Sequence, residues 1–297
     1  MATPSISTIT PSQRVLGILQ LTAGAAMISF SAVFVKLAHV GPTMAGFYRM
    51  LFGGLILTAV LWIRGERLWH GTRSILMAFA CSIFFALDLS FWHRSIQYVG
   101  PGLATLLANF QVFFLAGFGI ILLGEKPTRK LLISIPLALA GLYLIVGPNW
   151  RVLGANYKAG ILFGLLAAVG YAAYILTLRK FQTGSRRSAL STIALISLLT
   201  SLIMGLEALV QQERFSIPDL QSWAALVGYG LFPQVFGWVL ISVGLLRVET
   251  SRVGLILLLQ PTLAFVWDIL FFARPTVPLE FLGAILTLVA IYFGMTR

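Results

Sequence analysis

Charged residues are scarce in this chain. Of its 297 residues, only 10% are Asp, Glu, Lys or Arg, whereas 59% are hydrophobic and the mean hydropathy is +0.94. A soluble domain carries about a quarter charged residues on its water-facing surface. The scarcity excludes a soluble globular protein and predicts an all-α polytopic membrane protein. Its Lys and Arg residues are spread in short clusters between apolar runs, which argues against a nucleic-acid-binding face.

Cysteine and histidine are also rare, with one and three residues. Cys81 alone cannot form an internal disulfide or a cysteine metal site. The sequence has no GxxxxGK[ST] phosphate-binding loop, so no ATP-driven motor is indicated. An intramembrane enzyme would need a nucleophile–base set or metal ligands within the apolar runs, and neither HExxH nor GxSxG occurs there. We therefore expect no enzyme, no metal and no cofactor.

The apolar residues form long runs. A helix that crosses the bilayer needs about 20 of them. Ten spans are predicted, with a polar tail at residues 1–14 and short connections that leave no room for a soluble domain: residues 15–36, 43–63, 75–98, 102–123, 130–147, 159–178, 189–210, 222–246, 252–273 and 279–295.

Positive charge is unequal in alternate connections. Of the 21 Lys and Arg residues, 14 fall on one side and two, Arg49 and Arg94, lie inside spans. The five on the opposite side are Lys36, Arg151, Lys158, Arg214 and Arg274. Because connections rich in Lys and Arg stay in the cytoplasm, we expect both termini to be cytoplasmic in a bacterial-type inner (plasma) membrane.

The second half of the chain is similar to the first. A shift of 149 positions aligns Gln111 with Gln260 and Tyr143 with Tyr292. Five spans are followed by five more, and an odd number forces the second set to enter the membrane from the opposite side. This predicts two five-helix inverted-topology repeats, at residues 15–150 and 151–297, with a substrate site near mid-membrane where they meet.

Two stretches resemble the EamA-like branch of the drug/metabolite transporter superfamily. "AGFYRMLFGGLIL" (residues 45–57) has Arg49 where the family has an arginine, and "LLGEKPTRKLLISIPLALAGLYLIV" (residues 122–146) has Glu125 in the acidic position. The second half keeps the family's Pro261 and Gly283. It has Arg274 where the family has Glu, and the first half has Val112 where the family has Pro.

The resemblance covers nearly the whole chain. It implies transport of small metabolites by alternating access, often export of amino acids or toxic compounds, and it leaves the substrate open.

The stretch "DLSFWHRSIQ" (residues 88–97) places an acid, an imidazole and a guanidinium, Asp88, His93 and Arg94, inside the third span. Asp88 and Trp92 share one helical stripe, whereas His93 lies on a stripe about 100° away. We expect the Asp88–Trp92 stripe to face inward, because the opposite choice would turn a carboxylate toward lipid.

Other polar and aromatic residues lie deep in the spans. With the Asp88–Trp92 stripe, the candidate substrate-binding residues are Asp88, Trp92, Asn109, Gln111, Tyr171, Tyr174, Gln234, Trp238 and Gln260. Pro261 leaves a backbone carbonyl without its helical donor and can kink the ninth span, and Pro233 is expected to break the eighth. Four residues are candidates for coupling or for a structural ion-pair network joining the second, third and ninth spans: Arg49, His93, Arg94 and Asp268.

The function that the sequence favours is secondary transport of small organic metabolites, such as amino acids or related amphipathic compounds, with export as the expected direction. An uptake permease for a nucleoside, vitamin or organic acid is an alternative, and an intramembrane enzyme or a channel is an alternative of another class. The expected partners are a small-molecule substrate and the lipid bilayer, with protons as a candidate coupling ion and no nucleic acid. A monomer and a homodimer fit equally.

Overall fold

A computed structural model describes residues 11–68, 71–123, 128–148, 150–182, 188–245, 247–248 and 256–295. Glu125 lies outside these residues. All regular structure in the described ranges is helical. The helices are α1 (Pro11–Ser29), α2 (Ser31–Leu37), α3 (Pro42–Ile63), α4 (Thr72–Val99), α5 (Pro101–Ala108), α6 (Gln111–Leu123), α7 (Arg129–Val146), α8 (Ala155–Gln182), α9 (Ala189–Val210), α10 (Leu220–Tyr229), α11 (Trp238–Leu245), α12 (Leu259–Phe272) and α13 (Pro278–Met295).

The predicted polytopic membrane protein is confirmed. Eight segments of the described residues are long and apolar enough to cross a membrane, and two shorter apolar helices, Leu259–Phe272 and Pro278–Gly294, bring the number to ten. Helices α1 and α2 together form one span, as do α5 and α6. Helices α10 and α11 belong to one span through a π-helical segment, Gly230–Gly237.

Four spans are interrupted within their length, and in the ninth the interruption is a turn at Leu258. The first has a turn at Phe30 and the fourth at Asn109 and Phe110, and neither turn was predicted. The eighth was expected to break at Pro233 but instead widens into the π-helical segment. Proline removes one backbone donor, and a wider i→i+5 turn accommodates the missing hydrogen bond without ending the helix.

The packing of the helices follows a two-fold pattern. Helix α3 packs on α9, α5 on α12, and α7 on α13, so the second, fourth and fifth spans each contact their own counterparts. Helix α4 of the third span packs on α8 of the sixth, and the first span's α1 packs on the eighth span's α11, which is the same contact with the halves exchanged. With five spans in each half, this exchange relates two oppositely inserted repeats.

Close helix approach depends on glycine at the α7–α13 contact. A Cβ atom added to Gly141 would lie 2.8 Å from the Gly283 carbonyl oxygen, and one added to Gly283 would lie 2.6 Å from the Gly141 carbonyl oxygen. Small residues let membrane helices approach this closely, so the two glycines fix how the last spans of the repeats meet.

The bundle has two ends, which are named here by their residues. The terminal end holds the start of α1 and the end of α13. The Gly100 end holds the connections α2–α3, α4–α5, α9–α10 and α12–α13, and Gly100 itself turns the chain between α4 and α5 with φ +86°. That left-handed conformation favours glycine.

Candidate functional site

A chamber lies between the two repeats, beside the interruptions of the first and fourth spans. Its empty volume is about 820 Å³, counting its open side. The wall combines residues from both repeats: Ile28, Ser29, Ser31, Arg49, Phe85, Asp88, Leu89, Trp92, Thr105, Ala108, Asn109, Gln111, Tyr171, Trp238, Leu257 and Gln260. Seven of the nine candidate substrate-binding residues are in this wall; Tyr174 and Gln234 are not.

Arg49 brings a buried positive charge to the chamber. The residue is 5% exposed. Its Nε donates to Gln234 Oε1 at 3.0 Å and its Nη1 to the Tyr229 hydroxyl at 2.9 Å. The guanidinium carbon lies 4.8 Å from the centre of the Tyr229 ring and 6.0 Å from that of Phe85. Among the described residues, no carboxylate forms an ion pair with Arg49, so this cation has only neutral partners.

Asp88 brings a negative charge to the same chamber. It projects from the middle of α4 and is 8% exposed. Within the part of the chain that the structure describes, its carboxylate makes no hydrogen bond and no direct ion pair. Arg49 lines the same chamber. The chamber therefore presents one guanidinium and one carboxylate, each with polar atoms that make no hydrogen bond to a described residue.

Aromatic rings form the apolar part of the wall. Phe85 stacks on Tyr174 with ring centres 4.4 Å apart, and Tyr174 stacks on Tyr171 at 6.2 Å. Tyr174 is 4% exposed and lies behind Phe85 and Tyr171, which explains why it does not line the chamber. Trp92 lies one turn beyond Asp88 on α4, so the predicted inward stripe of these two residues is found at the wall.

Two donors in the wall are buried without a partner. Among the described residues, neither the Ser31 hydroxyl nor the Trp238 Nε1–H makes a hydrogen bond. A buried polar group without a partner costs about 1–3 kcal/mol. The two groups are contributed by opposite repeats.

Amide and backbone groups complete the polar surface. Gln111 and Gln260 are related by the 149-residue shift, and each follows an interruption of its span. Asn109 Nδ2 donates to the Thr105 carbonyl oxygen at 2.8 Å. Pro261 lies in the first turn of α12, three residues after the turn at Leu258. Because proline has no backbone N–H, Pro261 donates no hydrogen bond to the carbonyl oxygen of Leu257, four residues earlier. Leu257 is part of the wall.

His93 and Gln234 lie behind the wall. Gln234 connects Arg49 to Ser197, to which its Nε2 donates at 3.1 Å. His93 is fully buried, with Nδ1 at the Leu89 carbonyl oxygen and Nε2 3.1 Å from the Tyr229 hydroxyl. Neither side chain contacts the chamber directly, and both are connected to it through Arg49.

Arg94 and Asp268 lie nearer the Gly100 end, in two separate clusters. Arg94 pairs with Glu207 at 2.9 Å and also donates to Gln211 at 2.9 Å. Asp268 accepts from the Gly102 backbone N–H at 2.9 Å and pairs with Arg274 at 3.5 Å. The structure therefore does not show the expected single ion-pair network, which would include Arg49 and join the second, third and ninth spans.

Sequence reasoning missed two of these partners, Tyr229 and Glu207, and the wall residue Ser31. Tyr229 and Ser31 read as ordinary residues of apolar runs. Glu207 could have been found, because an acid inside a predicted span is expensive unless it has a partner. No sequence feature indicated that this partner is Arg94.

Comparison with known proteins gives one family over nearly the whole chain. The model of the EamA-like transporter family matches twice, at residues 15–147 and 158–296. An uncharacterized transporter of Archaeoglobus fulgidus is 24% identical over 272 residues, covering 91% of this chain and 93% of its own. A protein of Escherichia coli strain K12 named as a probable amino-acid metabolite efflux pump is 24% identical over 287 residues, covering 90% of each chain.

A solved structure titled only as the crystal structure of a protein matches the fold. Its TM-score is 0.66 at 18% identity, over 95% of this chain and 96% of that one. At this identity the likeness concerns the fold alone. The two matches of the family model together cover nearly the whole chain, and they show that the chain belongs to the EamA-like transporter family.

Proposed function

We propose that this chain is a secondary transporter that exports zwitterionic small metabolites, amino acids and related amphipathic compounds, across the inner membrane by alternating access. The observation that carries the proposal is the pair Arg49 and Asp88, two groups of opposite charge at one chamber between the repeats, neither with a direct ion-pair partner among the described residues. Ionisable groups at this depth are expensive and are usually partnered or functional.

The chemistry of the wall fits an amino acid. A substrate carboxylate would bind the Arg49 guanidinium, whose fork suits planar anions, and a substrate ammonium would bind Asp88. The rings of Phe85, Trp92 and Tyr171 would contact an apolar side chain.

Alternating access follows from the position of the chamber. Both repeats contribute to its wall, so a rocking movement of one repeat against the other would expose it first at one end and then at the other. The charge bias of the connections supports a cytoplasmic terminal end and an external Gly100 end. The name of the Escherichia coli relative supports export as the direction.

Protons are the coupling ion that this wall favours. When no substrate is bound, Asp88 lacks the cation that an ammonium would supply, and a proton would serve the same purpose. Efflux would then accelerate when the outside is made more acidic than the inside. Efflux that is unchanged by an imposed pH gradient would support facilitated diffusion and contradict proton exchange.

Proteoliposomes provide the test. Vesicles containing the purified protein are loaded with a labelled panel of amino acids, nucleosides, vitamins and organic acids, and efflux is compared with that from protein-free vesicles. We expect protein-dependent flux of amino acids that have apolar side chains. Flux of nucleosides, vitamins or organic acids instead would support the permease alternative, and no flux of any solute would contradict secondary transport.

A further inference from the structure

A chain of hydrogen bonds runs behind Arg49, away from the chamber. Arg49 Nη1 donates to the Tyr229 hydroxyl at 2.9 Å, and this hydroxyl lies 3.1 Å from His93 Nε2. The other ring nitrogen of His93, Nδ1, bonds to the Leu89 carbonyl oxygen. Tyr229 and His93 are both fully buried, and neither lines the chamber.

Counting the hydrogens determines the state of His93. A carbonyl oxygen only accepts, so Nδ1 must hold a hydrogen for Leu89. The Tyr229 oxygen already accepts from Arg49, so the hydroxyl hydrogen is directed to His93 Nε2. That nitrogen must then be the unprotonated acceptor of a neutral imidazole.

A charged imidazolium does not fit this arrangement. Its Nε2–H and the Arg49 Nη1–H would both point at the Tyr229 oxygen, and the tyrosine hydrogen would have no acceptor among the described residues. It would also be a second cation beside Arg49, and Arg94 on the same helix is a third. The acid nearest to this group on α9, Glu207, is already paired with Arg94.

The Arg49 side chain is held on two edges. Gln234 accepts from Nε and Tyr229 from Nη1, whereas Nη2 donates to no group that the structure describes. Nη2 and the second hydrogen of Nη1 form the end of the fork that is left for a carboxylate. Two parallel hydrogen bonds of this kind require the guanidinium plane to be fixed.

We infer that Tyr229 and His93 are positioning residues that fix the Arg49 guanidinium for a substrate carboxylate, with His93 permanently neutral and therefore not the proton carrier. This inference rests on the proposed function, because it assigns affinity for the carboxylate end of the substrate to a pair of side chains that the substrate never touches.

The binding test uses two probes that differ only in the carboxylate. L-Phenylalanine and 2-phenylethylamine are titrated against wild type, Tyr229→Phe, His93→Leu and His93→Gln. Tyr98→Phe is the matched control, since Tyr98 is 41% exposed and outside the chamber. We expect Tyr229→Phe and His93→Leu to weaken phenylalanine binding about tenfold, as expected for one buried hydrogen bond, and to leave amine binding unchanged. His93→Gln, which keeps an acceptor for Tyr229, should restore most of the affinity.

If affinity for phenylalanine and for 2-phenylethylamine falls equally, Tyr229 and His93 have only a structural role and the inference is overturned. Unchanged phenylalanine binding in Tyr229→Phe would also overturn it. Wild-type protein that binds neither probe nor any other amino acid would instead contradict the proposed function.

A spectroscopic test needs no substrate. His39→Gln combined with His70→Gln leaves His93 as the only histidine of the chain. The ¹⁵N NMR spectrum of this variant, labelled at histidine, should show the neutral Nδ1–H tautomer from pH 5.5 to pH 8. An imidazolium signal that grows as the pH falls through this range would overturn the inference, whatever the substrate is.

Discussion

Two groups of charged residues within the helix bundle are arranged in opposite ways. At the Gly100 end, Arg94 is paired with Glu207 at 2.9 Å and Asp268 with Arg274 at 3.5 Å. At the chamber, Arg49 has only neutral partners and Asp88 has no direct partner among the described residues. The first group is electrostatically complete without a ligand, and the second is not.

The difference separates charges that hold the protein together from charges that are available for a solute. A buried ion pair offsets part of its desolvation cost within the protein itself. Arg49 and Asp88 face the chamber without a direct ion pair, so their desolvation cost is not offset in this way. A bound zwitterion would offset it, and so would a proton on Asp88 together with a carboxylate at Arg49. Substitutions in the two groups should therefore affect different measurements.

The largest effect is expected for Asp88→Asn. It removes the chamber's negative charge while keeping the shape of the side chain. Loss of a charged contact to a substrate ammonium costs several kcal/mol, so efflux should fall by about 100-fold or more. The thermal unfolding midpoint should not decrease, because no direct ion pair is broken. Wild-type efflux in this variant would remove Asp88 from the substrate site.

A smaller loss is expected for Trp92→Ala. Removing one ring from the aromatic wall should raise KM about tenfold for substrates with apolar side chains, in line with roughly 1–1.5 kcal/mol for an aromatic contact. Trp62→Ala is the control, because Trp62 is 83% exposed on the outside of the bundle. If both variants raise KM equally, the effect belongs to folding or to lipid contact rather than to the chamber.

Glu207→Gln should separate turnover from binding. It neutralises a pair that joins α4 of one repeat to α9 of the other, so it changes the relative stability of states in which the Gly100 end is closed or open. A partly exposed pair is worth up to about 1 kcal/mol, which predicts a change in turnover of at most about fivefold, with KM unchanged. A KM that rises as far as in Trp92→Ala would mean that the pair belongs to the substrate site.

The smallest effect is expected at the exposed surface. Asp219 accepts from the Ser222 backbone N–H at 2.7 Å and contacts His39 Nδ1 at 2.7 Å, and these bonds, led by the His39 contact, lower the pKa of Asp219. A lowered pKa stabilises the folded state above the unfolded pKa of about 3.9, and this contribution is lost as the pH falls through the folded pKa.

Asp219→Asn should therefore lower the unfolding midpoint slightly at pH 6, and the difference from wild type should shrink below pH 4. Efflux should stay at the wild-type level. A difference in midpoint that grows at low pH would contradict the sign of this linkage.

The spans could be predicted from the sequence because each depends on a local run of apolar residues. The inward face of α4 was also predictable, since Asp88 and Trp92 are four residues apart on one helix. The partners of Arg49 could not be predicted, because Gln234 and Tyr229 lie about 180 positions away and are brought to it by the packing of opposite repeats. The interruption at Phe30 had no signal either, since no Gly or Pro is found there.

The central claim is that the chamber between the repeats is where the substrate binds, and filling the chamber tests it most directly. Ala108 lines the wall, whereas Ala59 is exposed on the outside of α3. Binding of the best labelled amino acid from the efflux panel is measured for wild type, Ala108→Trp and Ala59→Trp, each checked for a monodisperse folded state. We predict that Ala108→Trp abolishes binding and that Ala59→Trp binds like wild type; folded Ala108→Trp protein with wild-type affinity would contradict the account.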